Sequence, residues 1–417
     1  MPSQFLTRIL SGRNERRTLL IISFVVFIIQ VLTLRSTVII GEPYIIATHL
    51  RDGLGFVFEF PWDTYPTPTC FIPPLYAYYL YVILLVGGGF FIMQCINLIF
   101  FHVSNFFLYH FFKRYTSKQT AFAGFVIYAF YVPLWLLAQK IDPDGLNILL
   151  VTATIYILDG IMKDLTTRRW VMLGVLFGVQ ILVRPDILLG ILFFGAFLFF
   201  ASKQKTAFIK GFSLSIAIAL LMVVPWTIRN YNVFGRFVLV SANSGYNLFL
   251  GNNPAATGEF DQQPPSPQSI SMDSARIVYF SMHQSGVERD SYLYHVAVDW
   301  ATAHPFEVMK LAAKKFYYHW WLRESSGHFI QTPQWMLVTY NIGSLLLVVL
   351  GFIGLFSLET KARWLLLTLF AYSTAIAMIF FVQSRHRALK VDPFLITLSV
   401  VAVSHMFKKK SEPSPSR

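Results

Sequence analysis

The sequence predicts an all-α polytopic membrane protein, and three observations carry that prediction. Charged residues make up 13% of the 417, about half the roughly 25% of a soluble globular chain. Apolar residues make up 55%, with 41 Phe and 20 Tyr, and the mean hydropathy is +0.55. The third observation is arrangement: apolar segments near the length of a membrane span alternate with short basic clusters. A soluble enzyme of this length could bury a large core but would still need charge on its surface. The apolar content excludes disorder, and two cysteines exclude a disulfide scaffold. The net charge of +13 sits between apolar segments, where it sets topology and meets anionic headgroups. Nucleic acid is not an expected partner.

A membrane helix needs about 20 mostly apolar residues. The first segment runs from 18 to 40, behind Arg8, Arg13, Arg16 and Arg17. No small-residue cleavage site follows it, so it reads as an uncleaved span, with Arg35 snorkelling at its far end. Further spans are expected at 90–112, 119–138, 145–161, 170–183, 187–201, 207–226, 335–357, 364–382 and 391–407. The clusters Lys113/Arg114/Lys118, Lys163/Arg168/Arg169, Lys203/Lys205/Lys210, Lys361/Arg363 and Lys408/Lys409/Lys410 then all face the cytoplasm, provided that 72–88 does not cross. That segment begins at Pro73-Pro74, ends at Gly87-Gly88-Gly89 and carries Tyr76, Tyr78, Tyr79 and Tyr81, the residue type of the interfacial belt. It reads as a juxtamembrane or re-entrant helix on the outer side. About ten spans result, with both termini inside; counting 72–88 as a span gives eleven. The segments 170–183 and 187–201 are short, which places Arg184-Pro185-Asp186 at or just below the outer surface.

Three regions are expected. Residues 1–226 form an N-terminal transmembrane module containing a first outer loop at 41–89. Residues 227–334 form an outer region that passes Pro264-Pro265-Ser266-Pro267 and then turns helical. Residues 335–417 hold the last spans and a basic tail.

Charges on the outer side are few and therefore informative. Glu42 follows the first span, and Asp142 and Asp144 lie in a very short connection. A carboxylate at the membrane surface can act as a general base, or contribute oxygen to a divalent cation such as Mg or Mn, or simply cap a helix. Arg184, Arg229, Arg236, Arg385, His386, Arg387 and Lys390 break the inside rule. Arg makes bidentate contacts with phosphate oxygens, and a lipid-linked substrate presents phosphate at this level. An ion pair of Arg184 with Asp186, and headgroup contact by Arg385 and Arg387, are the plainer readings. The stretch from Pro225 to Pro254, with Tyr246, Asn247, Asn252 and Asn253, offers amides and aromatic faces that suit sugars as well as ordinary turns. No Gly-rich nucleotide-phosphate loop is present.

Taken in order, these residues resemble the bacterial multispanning glycosyltransferases of the protein-mannosyltransferase-like superfamily, which have the GT-C fold. Protein O-mannosyltransferases, lipid A aminoarabinose transferases and lipopolysaccharide-core galacturonosyltransferases are its members. The resemblance is carried by Glu42-Pro43-Tyr44 with Ala47, Leu50, Gly53 and Gly55, by Pro73-Pro74-Leu75-Tyr76, and by the Asp142/Asp144 loop. Leu182-Val183-Arg184-Pro185, Pro225-Trp226-Thr227-Ile228-Arg229-Asn230, Gly245-Tyr246-Asn247-Leu248, Gly251-Asn252-Asn253-Pro254 and Arg385-His386-Arg387 through Asp392-Pro393 continue it. It implies a GT-C fold with outer-side juxtamembrane helices and a general base at Glu42, with a second acidic position at Asp142 or Asp144. Many relatives have two acidic residues where this chain has Gly41-Glu42. Ile72 stands where aminoarabinose-type relatives carry Lys, which argues against that specificity.

The implied reaction moves a sugar, with inversion, from a polyprenyl-phosphate carrier to a hydroxyl of a lipid, glycan or protein acceptor. It takes place on the outer face of the bacterial cytoplasmic membrane. Glu42 is the expected base, with Asp142 and Asp144 as the other catalytic candidates. Arg184, Arg229, Arg385 and Arg387 are expected at the donor phosphate, and Tyr44, Tyr246, Asn247, Asn252 and Asn253 at sugar or acceptor. No cofactor is required, although Asp142 and Asp144 could hold a divalent cation. A surface-polysaccharide polymerase or ligase is the alternative enzyme. A lipid-sugar transporter would show charges at mid-membrane and paired repeats.

Overall fold

The computed structural model describes residues 12–34, 40–59, 65–259, 286–321 and 334–411. Arg35 and the 264–267 proline stretch lie outside the described residues. Helix forms at each segment expected to be apolar and helical. Helix α1 spans Gly12–Leu32 and α2 Glu42–Arg51. A two-stranded antiparallel hairpin, β1 Val57–Phe58 with β2 Thr67–Pro68, closes the loop behind α2. Helix α3 is Pro74–Leu85, α4 Phe90–Phe112, α5 Lys118–Ala129, α6 Val132–Ala138, α7 Asp144–Lys163, α8 Thr167–Val183, α9 Ile187–Ala201 and α10 Lys205–Phe234. The remainder are α11 Ser244–Gly251, α12 Gly286–Ala303, α13 Pro305–Trp320, α14 Gln334–Phe356, α15 Thr360–Ile379, α16 Ser384–Ala388 and α17 Asp392–Ser411.

Local sequence explains the breaks. Helix α3 starts at the second proline of Pro73-Pro74, where a missing N–H costs nothing, and stops before Gly87, whose φ is +79°. Its 12 residues reach about 18 Å, well short of a roughly 30 Å hydrocarbon core. The segment 119–138, expected as one span, is two helices bent by 57°. The break falls at Phe130-Tyr131, and Pro133 sits in the first turn of α6, where its ring and missing N–H interrupt the ladder. Helix α10 instead absorbs Pro225 and runs on to Phe234, ending at left-handed Gly235. Among the described residues five helices are long and apolar enough to cross a membrane, or up to six if the bent pair is one span.

The most extensive helix pairs are α14 with α17, α10 with α8, and α4 with α7. Helix α14 meets α17 through Gly354, where an added Cβ would lie 1.9 Å from the carbonyl oxygen of Leu398. The polarity of the bundle is that of a membrane protein. Leu20, Ile21, Phe24, Leu192, Leu221, Ile342 and Leu346 are exposed, while Gln30, Asn97, His102 and Asn105 are buried. Those amides are used: Gln30 donates to the Ala129 carbonyl and pairs with His102, and Asn105 donates to the Phe125 carbonyl. They tie α1, α4 and α5 together, as buried polar groups must be tied in a medium without water.

The two ends of the bundle differ. At the basic end Glu15 meets Lys113 and Lys118, and Asp159 meets Arg114 and Lys163. The opposite end, the site end, holds Asp142, Asp144, Arg184 and Arg385. Gly354→Val should force α14 and α17 apart and cost about 1–3 kcal/mol. Thermal unfolding in detergent would show a lowered Tm, whereas Gly343→Val, where a Cβ meets open space, should leave it unchanged.

Candidate active site

The turn between α6 and α7 places both aspartates. Asn97 of α4 donates to the Lys140 carbonyl at 2.6 Å and to the Tyr76 hydroxyl at 2.9 Å, which fixes this turn against α3 and α4. Gly145 then lets the start of α7 press onto α4, since a Cβ there would sit 3.0 Å from the Asn97 carbonyl oxygen. Asp144 is thereby drawn to 0% exposure. Neither of its carboxylate oxygens has a hydrogen-bond partner among the described residues.

Two guanidiniums face it. Arg184, just after α8, lies 3.6 Å away, and Arg385, on the short helix α16, lies 3.9 Å away. Arg385 also donates to Asp142 at 2.8 Å and, through Nε, to Gln383 at 2.7 Å. Burial alone would lower the Arg385 pKa, but the charges of Asp144, Asp142 and Glu42 outweigh it and raise it. Glu42 is thus within electrostatic reach of Arg385. It stands exposed in the first turn of α2 and accepts no hydrogen bond from any described residue.

A second ionic pair supports the first. Lys390 pairs with Asp186, so Arg184 turns to Asp144 and not to its near neighbour Asp186. Burial pushes the Asp186 carboxyl up, but Lys390 and Arg184 bring it below the usual carboxylate range. His386 is driven well below the usual imidazole value by burial and then by Arg184, Arg385 and Lys390. It is therefore neutral at pH 7.

The other expected site residues take different places. Arg387 is 1% exposed and spends its guanidinium on Asp392 at 2.7 Å, the Ser344 hydroxyl at 2.7 Å and the Trp320 carbonyl at 2.7 Å. Arg229 donates to the Thr69 and Phe56 carbonyls and lies over the Trp226 ring. It holds the first loop to α10. Asn252 donates to the Leu248 and Ile379 carbonyls and accepts from Lys315; Asn253 caps its own turn through Phe249 and Ala255. Tyr246 donates its backbone N–H to the Asp290 carboxylate and sets its ring edge-on to Phe71. Asn247 is half-buried in α11, and Tyr44 packs on Phe90, with ring centroids 4.8 Å apart. Of the named set, the structure brings together Asp142, Asp144, Arg184 and Arg385, with Glu42 nearby.

Gln383, Lys390, Asn97 and Lys315 were not among the expected site residues. Lys390 had a signal, as a cation on the side where cations are scarce. Gln383, Asn97 and Lys315 had none, because a single amide or one lysine in a lysine run is locally ordinary. Asp142 and Asp144 sit beside a cation of the protein itself. Both already face the Arg385 guanidinium, and the described residues hold no cluster of three or more His, Cys, Asp or Glu.

Residues 72–228 match the dolichyl-phosphate-mannose-protein mannosyltransferase family. No curated protein matches the chain. Among solved structures, the Archaeoglobus fulgidus oligosaccharyltransferase, tethered to an acceptor peptide containing the NVT sequon, shares the fold. Its TM-score is 0.56 at 15% identity, over 94% of this chain and 50% of that one. This chain therefore spans about half the length of that relative.

Arg385→Ala should lower Tm, because it leaves buried Asp144 with one compensating cation. Combining it with Asp144→Asn should recover part of the loss. The double-mutant cycle should read a coupling on the order of 1–3 kcal/mol; strict additivity would show that the bridge is not formed.

Proposed function

We propose that this protein-mannosyltransferase-like membrane protein of the GT-C fold transfers a sugar from a polyprenyl-phosphate carrier to an acceptor hydroxyl. The acceptor is a lipid, glycan or protein. The reaction takes place at the site end, on the outer face of the cytoplasmic membrane. The observation that carries this reading is the pair of guanidiniums, Arg184 and Arg385, held by Asp142 and Asp144 beside an exposed carboxylate, Glu42.

In this mechanism Glu42 accepts the proton of the acceptor hydroxyl as its oxygen attacks the anomeric carbon. The bond from that carbon to the phosphate oxygen breaks, and the electron pair leaves with the lipid phosphate. Attack and departure occur on opposite faces, so the configuration inverts. Arg385 and Arg184 stabilise the charge gathering on the phosphate. Asp142 and Asp144 hold those guanidiniums in place beforehand, which reduces the reorganisation needed in the transition state. The arrangement of charge supports the orientation: the basic clusters gather at the end opposite the site, as the positive-inside rule requires of cytoplasmic loops.

Purified chain with a lipid-phosphate sugar donor and candidate acceptors tests this reading. Glu42→Gln should reduce transfer about 100-fold or more, with the elution profile and Tm unchanged; full activity in that variant would sink the base assignment. Chelation of divalent cations by EDTA should leave the rate unaltered, and a loss restored by Mg or Mn would overturn the guanidinium-only site.

A further inference from the structure

Helix α13 is built inside out. Its protein-facing side carries Lys315 and His319, both 0% exposed. Lys315 donates to Asn252 at 3.1 Å and to the Met378 carbonyl at 3.2 Å, and His319 meets Ser373 at 3.3 Å. The opposite side carries Phe306 at 77% exposure, Met309 at 67%, Phe316 at 49% and Tyr317 at 51%. These four fall at helical spacing on one stripe. A helix lying on a protein in water shows the reverse order, polar outward and apolar inward. Here the outward face is the apolar one.

Depth agrees with polarity. Lys315 reaches the α15 backbone at Met378, while Trp320 donates to Thr374 and packs on Phe370 of α15 and Phe352 of α14. From Met378 to Phe370 is about 12 Å along a helix, so α13 descends beside α15 into the layer of the spans. Helix α14, which Trp320 meets at Phe352, likewise exposes Ile342, Leu346, Val349 and Ile353. The charges along one edge of α13 are Lys314 and the Glu307–Lys310 pair, which leaves a net positive edge.

We propose that α13 is an interfacial helix seated in the leaflet at the site end. Phe306, Met309, Phe316 and Tyr317 lie among acyl chains, and Lys314 lies at the phosphates of anionic phospholipid. The partner is the bilayer itself. Through Lys315 the helix is tied to the segment that leads into Gln383 and Arg385, so the lipid surface helps seat the site.

The test uses the full chain with Cys95→Ser, reconstituted in vesicles of phosphatidylcholine and phosphatidylglycerol. A nitroxide is placed at Met309→Cys, and separately at Phe306→Cys, with Asp52→Cys as the exposed reference. The ratio of oxygen to nickel-chelate accessibility should be several-fold higher at 309 and 306 than at 52. A ratio equal to the reference would mean that the face meets water. Exclusion of both reagents would mean that protein covers it, either another part of this chain or a second copy. Either result overturns the proposal. Lys314→Glu should make the labels shallower in vesicles containing phosphatidylglycerol and leave them unchanged in phosphatidylcholine alone; an equal change in both would remove the phosphate contact. None of these readouts depends on transfer activity.

Discussion

Asp144 is a carboxylate with no exposed surface and no hydrogen bond from any described residue. Burying a charge in that way is costly unless opposite charge is brought to it. Among the described residues Arg184 and Arg385 are the cations in ion-pair range of it, so the end of α8, the start of α7 and helix α16 have to meet. The same requirement explains Gly145, which allows the approach, and the Asp186–Lys390 pair, which leaves Arg184 for Asp144. It also explains why the run before Arg385 is fastened so firmly. Gly251 packs against the Phe380 carbonyl, Val382 donates to Gly258 at 3.0 Å, and Asn252 and Lys315 hold the carbonyls of Ile379 and Met378.

Arg385 and Arg387 show how one short segment divides its work. They are two residues apart on a helix of five, so they point in different directions. Arg387 is sealed with Asp392, Ser344 and the Trp320 carbonyl, and it locks α16 to α13, α14 and α17. Arg385 is left part-exposed beside Asp142, where a substrate phosphate could reach it. Arg229 joins the structural group, stapling the β-hairpin loop to α10. A cation bound on every side by carbonyls and rings is already satisfied and has little left to offer a ligand.

Much of the architecture was legible because a membrane imposes simple rules on sequence. The tyrosine-rich, proline-led segment at 72–88 reads as a helix that does not cross, and α3 is too short to cross alone. The bend at Pro133 was harder to see. The hydropathy of 119–138 is continuous through it, and proline is tolerated within other apolar helices, as Pro225 is in α10. The amides at Asn252 and Asn253 read two ways for a related reason. Residues that suit a sugar also suit a helix end, and in the fold these two donate to the carbonyls of Ile379 and Phe249.

The sequence by itself determined the membrane class, the positions of the apolar helices and the short list of charges lying away from the basic clusters. These follow from local composition, since hydrocarbon selects residue by residue along a helix. Tertiary structure decided which charges meet. Arg385 and Asp142 are 243 positions apart, and no period or motif encodes that distance. It decided equally that Lys315 and His319 of α13 face inward while its phenylalanines face out. That outcome depends on the carbonyls and hydroxyls that α15 and α11 present to the helix, and these exist only once the chain has folded.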